Sequence, residues 1–127
     1  MKMPSALLLT TILFPAICMG ADNNGNFGSS LPVELKDCDS FITALDDCLV
    51  GHCYKRNLFD AWLNGYITAY NVHVDDTYNI MGKRDSVELA FWLANYCKKH
   101  QHSTFDTAVG QLMAELAPQR IKEKPKD

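Results

Sequence analysis

Phe105-Asp106-Thr107-Ala108-Val109-Gly110-Gln111-Leu112-Met113-Ala114-Glu115-Leu116 is the stretch that decides the fold class. Phe105, Ala108, Val109, Leu112 and Leu116 stand at i, i+3, i+4, i+7 and i+11, which gathers them on one face of a helix. A half-buried strand would instead alternate at every second residue. Ser103 and Thr104 precede the run, and Asp106 stands in its first turn, where free amides and the helix dipole favour an oxygen acceptor. Pro118 stops the helix, because it has no N–H to continue the ladder.

Three further helical patterns lie upstream. Asp85-Ser86-Val87-Glu88 has capping-box spacing and opens a helix that runs to about Lys99, where Lys98, Lys99 and His100 complement the dipole. Before it, residues 74–84 read as a loop carrying Asp75-Asp76 and a turn at Gly82. The longest pattern covers about residues 57–73. Leu58, Trp62, Tyr66, Ala69 and His73 follow the helical repeat, and Phe59, Leu63 and Tyr70 widen the stripe. Gly65 in its interior costs about 1 kcal/mol against alanine, and close approach of a neighbouring helix is the expected reason. The first helix spans about residues 37–49, with Phe41, Ile42, Leu45 and Leu49 on one face. Asp37 or Asp39 caps its start and Gly51 ends it. No segment sustains strand alternation. The expectation is an all-α protein, a small four-helix bundle over residues 37–118 stapled by disulfides.

The flanks have other jobs. Lys2, the apolar run from Ala6 to Phe14, and the small residues Cys18 and Gly20 three and one places before a cut form the layout of a secretory signal peptide, residues 1–20. The apolar stretch 6–19 is interrupted by Pro15 and falls short of the roughly 20 residues a membrane span needs. Lipidation of Cys18 is the alternative, and Ile17 stands where a small residue normally precedes a lipidated cysteine. Residues 21–36 follow as a leader rich in Asn, Gly and Ser, expected to be flexible. Residues 119–127 form a charged tail, mixed in sign and containing Pro125, expected to be solvated and disordered. An exported, periplasmic protein with no membrane attachment after cleavage is the expected product.

The chain carries 12 Lys and Arg against 15 Asp and Glu. Cleavage removes only Lys2 among these and leaves a net charge of −4. Scattered, weakly acidic charge gives no footprint for nucleic acid.

Four of the five cysteines survive cleavage: Cys38, Cys48, Cys53 and Cys97. An even number in a small exported chain reads as a disulfide framework, and four cysteines allow three pairings. A Cys48–Cys53 bond requires the helix to break between them, and Gly51 lies there. Cys38 and Cys97 each stand at a helix edge. Joining them closes a loop worth about 4 kcal/mol in the chain-entropy picture, against about 2 kcal/mol for the short loop. Cys38–Cys97 with Cys48–Cys53 is the favoured pairing. A metal or redox site at Cys97-Lys98-Lys99-His100-Gln101-His102 is the competing reading, but structural zinc sites show two paired ligand clusters and there is no CxxC.

Motifs for catalysis are missing. There is no GxSxG, HExxH or glycine-rich phosphate loop. His52, His73, His100 and His102 read as surface or helix-end residues, and Asp75-Asp76 as a solvated acidic loop. The expectation is a non-enzymatic protein without cofactor or metal.

Three blocks carry a resemblance. They are Ala61-Trp62-Leu63-Asn64-Gly65-Tyr66-Ile67-Thr68-Ala69-Tyr70-Asn71, then Phe91-Trp92-Leu93-Ala94-Asn95-Tyr96-Cys97-Lys98-Lys99-His100, then Thr104-Phe105-Asp106-Thr107-Ala108-Val109 with Glu115-Leu116. Over roughly residues 37–120 the chain resembles small exported proteobacterial proteins related to the HdeA/HdeB acid-stress family and to the Rap/Tai immunity proteins of type VI secretion. The Cys48/Cys53 pair and Gln101, where relatives often carry proline, depart from the pattern. The resemblance implies a bridge between Cys38 and Cys97 and a protein partner, either an incoming toxin or, in acid, an unfolded client. Full protonation takes the mature domain from −4 to +15, with 11 Lys and Arg plus 4 His, and self-repulsion would then loosen the bundle. A partner-specific binder needs aromatic anchors, for which Trp62, Tyr66, Tyr70, Trp92 and Tyr96 are the candidates; in helical stripes such residues also serve as core. A homodimer is a further expectation for a bundle of this size.

Overall fold

A computed structural model describes residues 35–126. The expected signal peptide, Cys18 and the expected leader up to residue 34 lie outside the described residues.

Four helices follow one another: α1 (Cys38–Leu49), α2 (Tyr54–His73), α3 (Ser86–Lys99) and α4 (Phe105–Leu116), with a short 3-10 turn at Ala117–Gln119. Their ends are built as the sequence suggests. Asp85 accepts from the Val87 and Glu88 amides at 2.9 Å each, while the Glu88 carboxylate accepts from the Asp85 amide at 3.0 Å. This completes the capping box at the start of α3. Asp37 caps α1 by accepting from the Ser40 amide at 2.7 Å. Hydrogen bonds from Ser40, side chain first and backbone second, hold the Asp37 carboxyl below the ordinary carboxylate value. Thr104 caps α4.

Helix α1 ends at a glycine turn. Gly51 has a φ of +96°. Its amide donates to Cys48 and that of His52 to Asp47, at 3.1 and 2.9 Å, a reciprocal pair that satisfies the last carbonyls of the helix. The turn is complete by Cys53. Helix α2 therefore restarts at Tyr54, three residues before its hydrophobic repeat becomes visible.

Helix α1 is central and packs against α2, α3 and α4. Phe41, Phe59 and Phe105, one from each of α1, α2 and α4, meet with ring centroids 4.7–5.2 Å apart. All three are buried, as are Leu89 and Leu93 of α3 and the whole predicted stripe of α4. The Cys38–Cys97 disulfide lies in this core with both residues fully buried, tying the start of α1 to the end of α3. Cys48–Cys53 joins the last turn of α1 to the residue before α2. Both bridges are those favoured from the sequence.

The details correct several expectations. On α2 the buried line is Phe59, Leu63 and Ile67, while Leu58, Trp62 and Tyr66 are half-buried and Ala69 and His73 exposed. The inner face centres on Phe59 and Leu63, which were expected at the edge of the stripe, and adds Ile67. Gly65 is exposed, and a β-carbon there would meet nothing within 4 Å, so close helix approach is not its reason. On α1 Leu49 is 85% exposed; Phe41 faces the core with Cys38 and Ala44, whereas Leu49 belongs to a different face. The end of the leader is fixed: Leu35 is buried, and the Lys36 carbonyl accepts from the Phe105 amide at 2.7 Å.

The tail is also corrected, because its first residues clasp the 74–84 loop. The Ile121 carbonyl accepts from Tyr78 and Asn79, and the Ile121 amide donates to Asn79, at 2.8–3.0 Å. Arg120 donates to the carbonyls of Asp76 and Ala117. Inside the loop Ile80 is fully buried, and its amide donates to the Asn71 side chain at 2.8 Å. Gly82 sits beneath the clasp with φ +62°, where a β-carbon would lie 2.7 Å from the Gln119 carbonyl oxygen. Gly82→Ala should therefore cost more than the roughly 1–2 kcal/mol of left-handed backbone alone. Gly51→Ala, with the same kind of backbone but open space around it, should cost only that. Urea midpoints compare the two, and equal shifts would mean that Gln119 gives way freely.

Candidate functional site: an apolar groove on the central helix

Beside its core face, α1 has a second face that is only partly covered: Ile42 and Leu45 are half-buried at the edge of the core and Leu49 is exposed. Ile42, Leu45 and Leu49 recur at three and four residues along it, forming a second apolar stripe beside the core stripe. Helices α2 and α3 pack against α1 on either side, so this stripe becomes the floor of a groove of about 730 Å³. Leu63 and Asn64 of α2, with Arg56 and Asp60, make one wall. Val87, Ala90, Phe91 and Ala94 of α3 make the other, with Asn95 and Lys98 towards its end. Cys48 reaches the groove as well, so the short disulfide borders it.

The rim is more apolar than water contact favours. Phe91 is 67% exposed, Val87 59% and Leu49 85%, with Val50 and Tyr54 exposed next to Leu49. Large apolar side chains scattered singly are ordinary, but a contiguous set bordering a concavity marks a contact surface. On the α2 wall Arg56 holds both oxygens of Asp60 at 2.9 Å. A single Nε–H shared between the two carboxylate oxygens sets the two charges against each other on the groove side.

The five aromatics proposed as anchors lie elsewhere. Trp62, Tyr66, Tyr70, Trp92 and Tyr96 are all half-buried, packed on the core, and none lines the groove. Four of them, Trp62, Tyr66, Trp92 and Tyr96, form two stacks. Trp62 lies against Tyr66 with centroids 5.5 Å apart, and its edge meets Phe105 at 5.8 Å. Trp92 stacks on Tyr96 at 5.5 Å, and Tyr96 on His100 at 4.2 Å. Burial, then the neighbouring Tyr70 and Asp106, push the Tyr66 hydroxyl above its ordinary value. These stacks lie on faces of α2 and α3 other than those that wall the groove.

The sequence marks Ile42, Leu45 and Leu49 as an apolar face but not as a groove, because periodicity assigns one apolar face per helix to the core, and α1 and α3 each carry a second that is left partly exposed. One signal was present. Phe91, Trp92 and Leu93 are consecutive, successive helical residues turn by about 100°, and three large apolar side chains in a row cannot all face one core. Leu93 is buried with Leu89 and Cys97, which places Phe91 on the far side.

Among the described residues no three His, Cys, Asp or Glu side chains gather in a way that could hold a metal ion, and no helix is long and apolar enough to cross a membrane. Comparison finds no matching family model, no matching curated protein and no matching solved structure, so the likeness to the HdeA/HdeB and Rap/Tai families rests on the three sequence blocks alone.

Proposed function

We propose that this chain is an exported, non-enzymatic binding protein that takes an apolar segment of a protein partner into the groove on α1, in the manner of an immunity protein. The observation that carries this reading is the groove itself, with Leu49, Val87 and Phe91 exposed along it. An apolar cleft with a few fixed polar groups is the usual form of a binding site. Its walls belong to helices pinned by two disulfides and stacked aromatics, which suits a surface that keeps its shape.

A toxin encoded next to this chain would be the partner. Co-production with that toxin should restore growth, and Phe91→Asp should abolish the rescue while leaving the far-UV circular dichroism unchanged. Rescue undiminished by Phe91→Asp would remove the groove from the function.

A second reading, an acid-stress chaperone, is favoured by one observation. The side-chain caps of α1 and α3 and the ion pairs Lys55–Asp47, Arg56–Asp60 and Arg84–Glu115 all depend on carboxylates. The sign is set by Asp37. Its folded-state pKa is depressed, so its contribution to stability is present above the unfolded value of about 3.9 and is lost as pH falls through the lower folded value. Acid would loosen the helix starts while the buried Cys38–Cys97 bond holds the chain together. Aggregation of a general client at about pH 2–3, where carboxylates are protonated, separates the readings. Protection there supports the chaperone, and none supports the partner-specific binder.

A further inference from the structure

The groove has a length, a width and a charge pattern, and together they describe an occupant. Resting on the protein-binding reading above, we propose that the groove receives an amphipathic α-helix of about three turns that carries an acidic residue near one end of its apolar stripe and a basic residue about two turns further along it.

The wall from Ser86 to Lys98 is 12 residue steps of α3, about 18 Å at 1.5 Å per residue. A helix of about three turns has that length. The width follows from packing. Helix α1 already has α2, α3 and α4 against it, and the groove is its remaining side. A helix laid there would meet Ile42, Leu45 and Leu49 from above and Phe91 from the side, the arrangement of helix-in-groove recognition. An extended peptide would gain no backbone partners, because the groove is walled by helices whose amides and carbonyls are already paired.

The charges give the specificity. Arg56 and Asp60 satisfy each other. The two remaining charged residues of the lining, Asp46 and Lys98, are exposed and form no ion pair among the described residues. The Cys38–Cys97 bond fixes the register of α1 against α3. It puts Lys98 beside the start of α1, whereas Asp46 is eight residues further along α1, about 12 Å. Two unpaired charges of opposite sign thus bracket Ile42 and Leu45, roughly two helical turns apart, with Leu49 lying beyond Asp46. A guest helix with charges of opposite sign seven positions apart meets both.

The test uses three synthetic peptides of about 12 residues, stapled on the face away from the groove so that their helicity is equal. All carry the same leucine stripe. One has Glu and Lys seven positions apart, one has Lys at both places and one has Glu at both. Binding to the full mature protein is followed by amide shifts in NMR and by fluorescence anisotropy. The mixed peptide should bind best, by up to about five-fold for each charge matched, the upper range for an exposed pair. Lys98→Glu should transfer the preference to the all-Lys peptide, and Asp46→Lys to the all-Glu peptide. Shifts should centre on Ile42, Leu45 and Phe91. Equal binding of all three peptides, or charge variants that leave the order unchanged, would overturn the charged-helix proposal while leaving the groove as a protein site. No binding by any peptide would overturn both, as would a dimer in sedimentation that Phe91→Asp dissociates and no peptide displaces.

Discussion

Replacing Phe105 by alanine should bring the protein close to unfolding at ambient temperature. Phe105 is the first residue of α4 and is buried. Its ring touches Phe41 of α1 and both Phe59 and Trp62 of α2, and its amide holds the Lys36 carbonyl. Truncating a buried phenylalanine costs about 3–5 kcal/mol, and here the cavity opens where three helices meet. A domain of this size has a total stability of about 5–15 kcal/mol. With a urea slope of about 1–3 kcal/mol per molar, the midpoint should fall by more than about 1 M. Phe105→Leu, which keeps part of the volume, should lose clearly less. A small, equal effect from both variants would show that α4 is not anchored through this ring.

The second large effect distinguishes the two disulfides. Cys38→Ala with Cys97→Ala opens a 59-residue separation, and should lower stability by about 4 kcal/mol. At about 4–8 °C per kcal/mol for a domain of this size, the melting temperature should drop by roughly 20 °C. Cys48→Ala with Cys53→Ala opens a separation of five residues, and should lose about 2 kcal/mol. Thermal melts of the oxidised double variants measure both. Equal losses would mean that the bridges act through native packing rather than through the unfolded chain.

Much of this architecture is legible before any coordinates. Asp85 and Glu88 announce a capping box because its chemistry is local: two side chains and two amides within one turn. The stripe of α4 is legible because every one of its apolar residues goes to the same core. The bridges follow from where helix edges place the cysteines. What stays hidden is whatever depends on the mutual placement of elements. Leu58-Trp62-Tyr66 and Phe59-Leu63-Ile67 are equally good repeats, one residue apart, and only the position of α1 and α4 selects the second. Leu49 is apolar and in register, yet the neighbour it would need is missing from that side. Ile121 looks like part of a polar tail, because pairing with Asn79 across more than forty residues leaves no period to detect. The groove belongs to the same class, as a consequence of three helices being placed so that a fourth position beside α1 stays open.

The long bridge has a mechanical consequence. Cys38 and Cys97 are the covalent entrance and exit of a ring that contains all of α1, all of α2, and all of α3 except its last two residues. Force applied at the two chain ends bypasses that ring entirely. It can stretch only what lies outside, which is the approach to Cys38 on one side and α4 with its clasped tail on the other. An oxidised molecule drawn into a protease or unfolding machine from its C-terminus would yield α4, and then stall at a closed loop that carries all of the groove except Lys98.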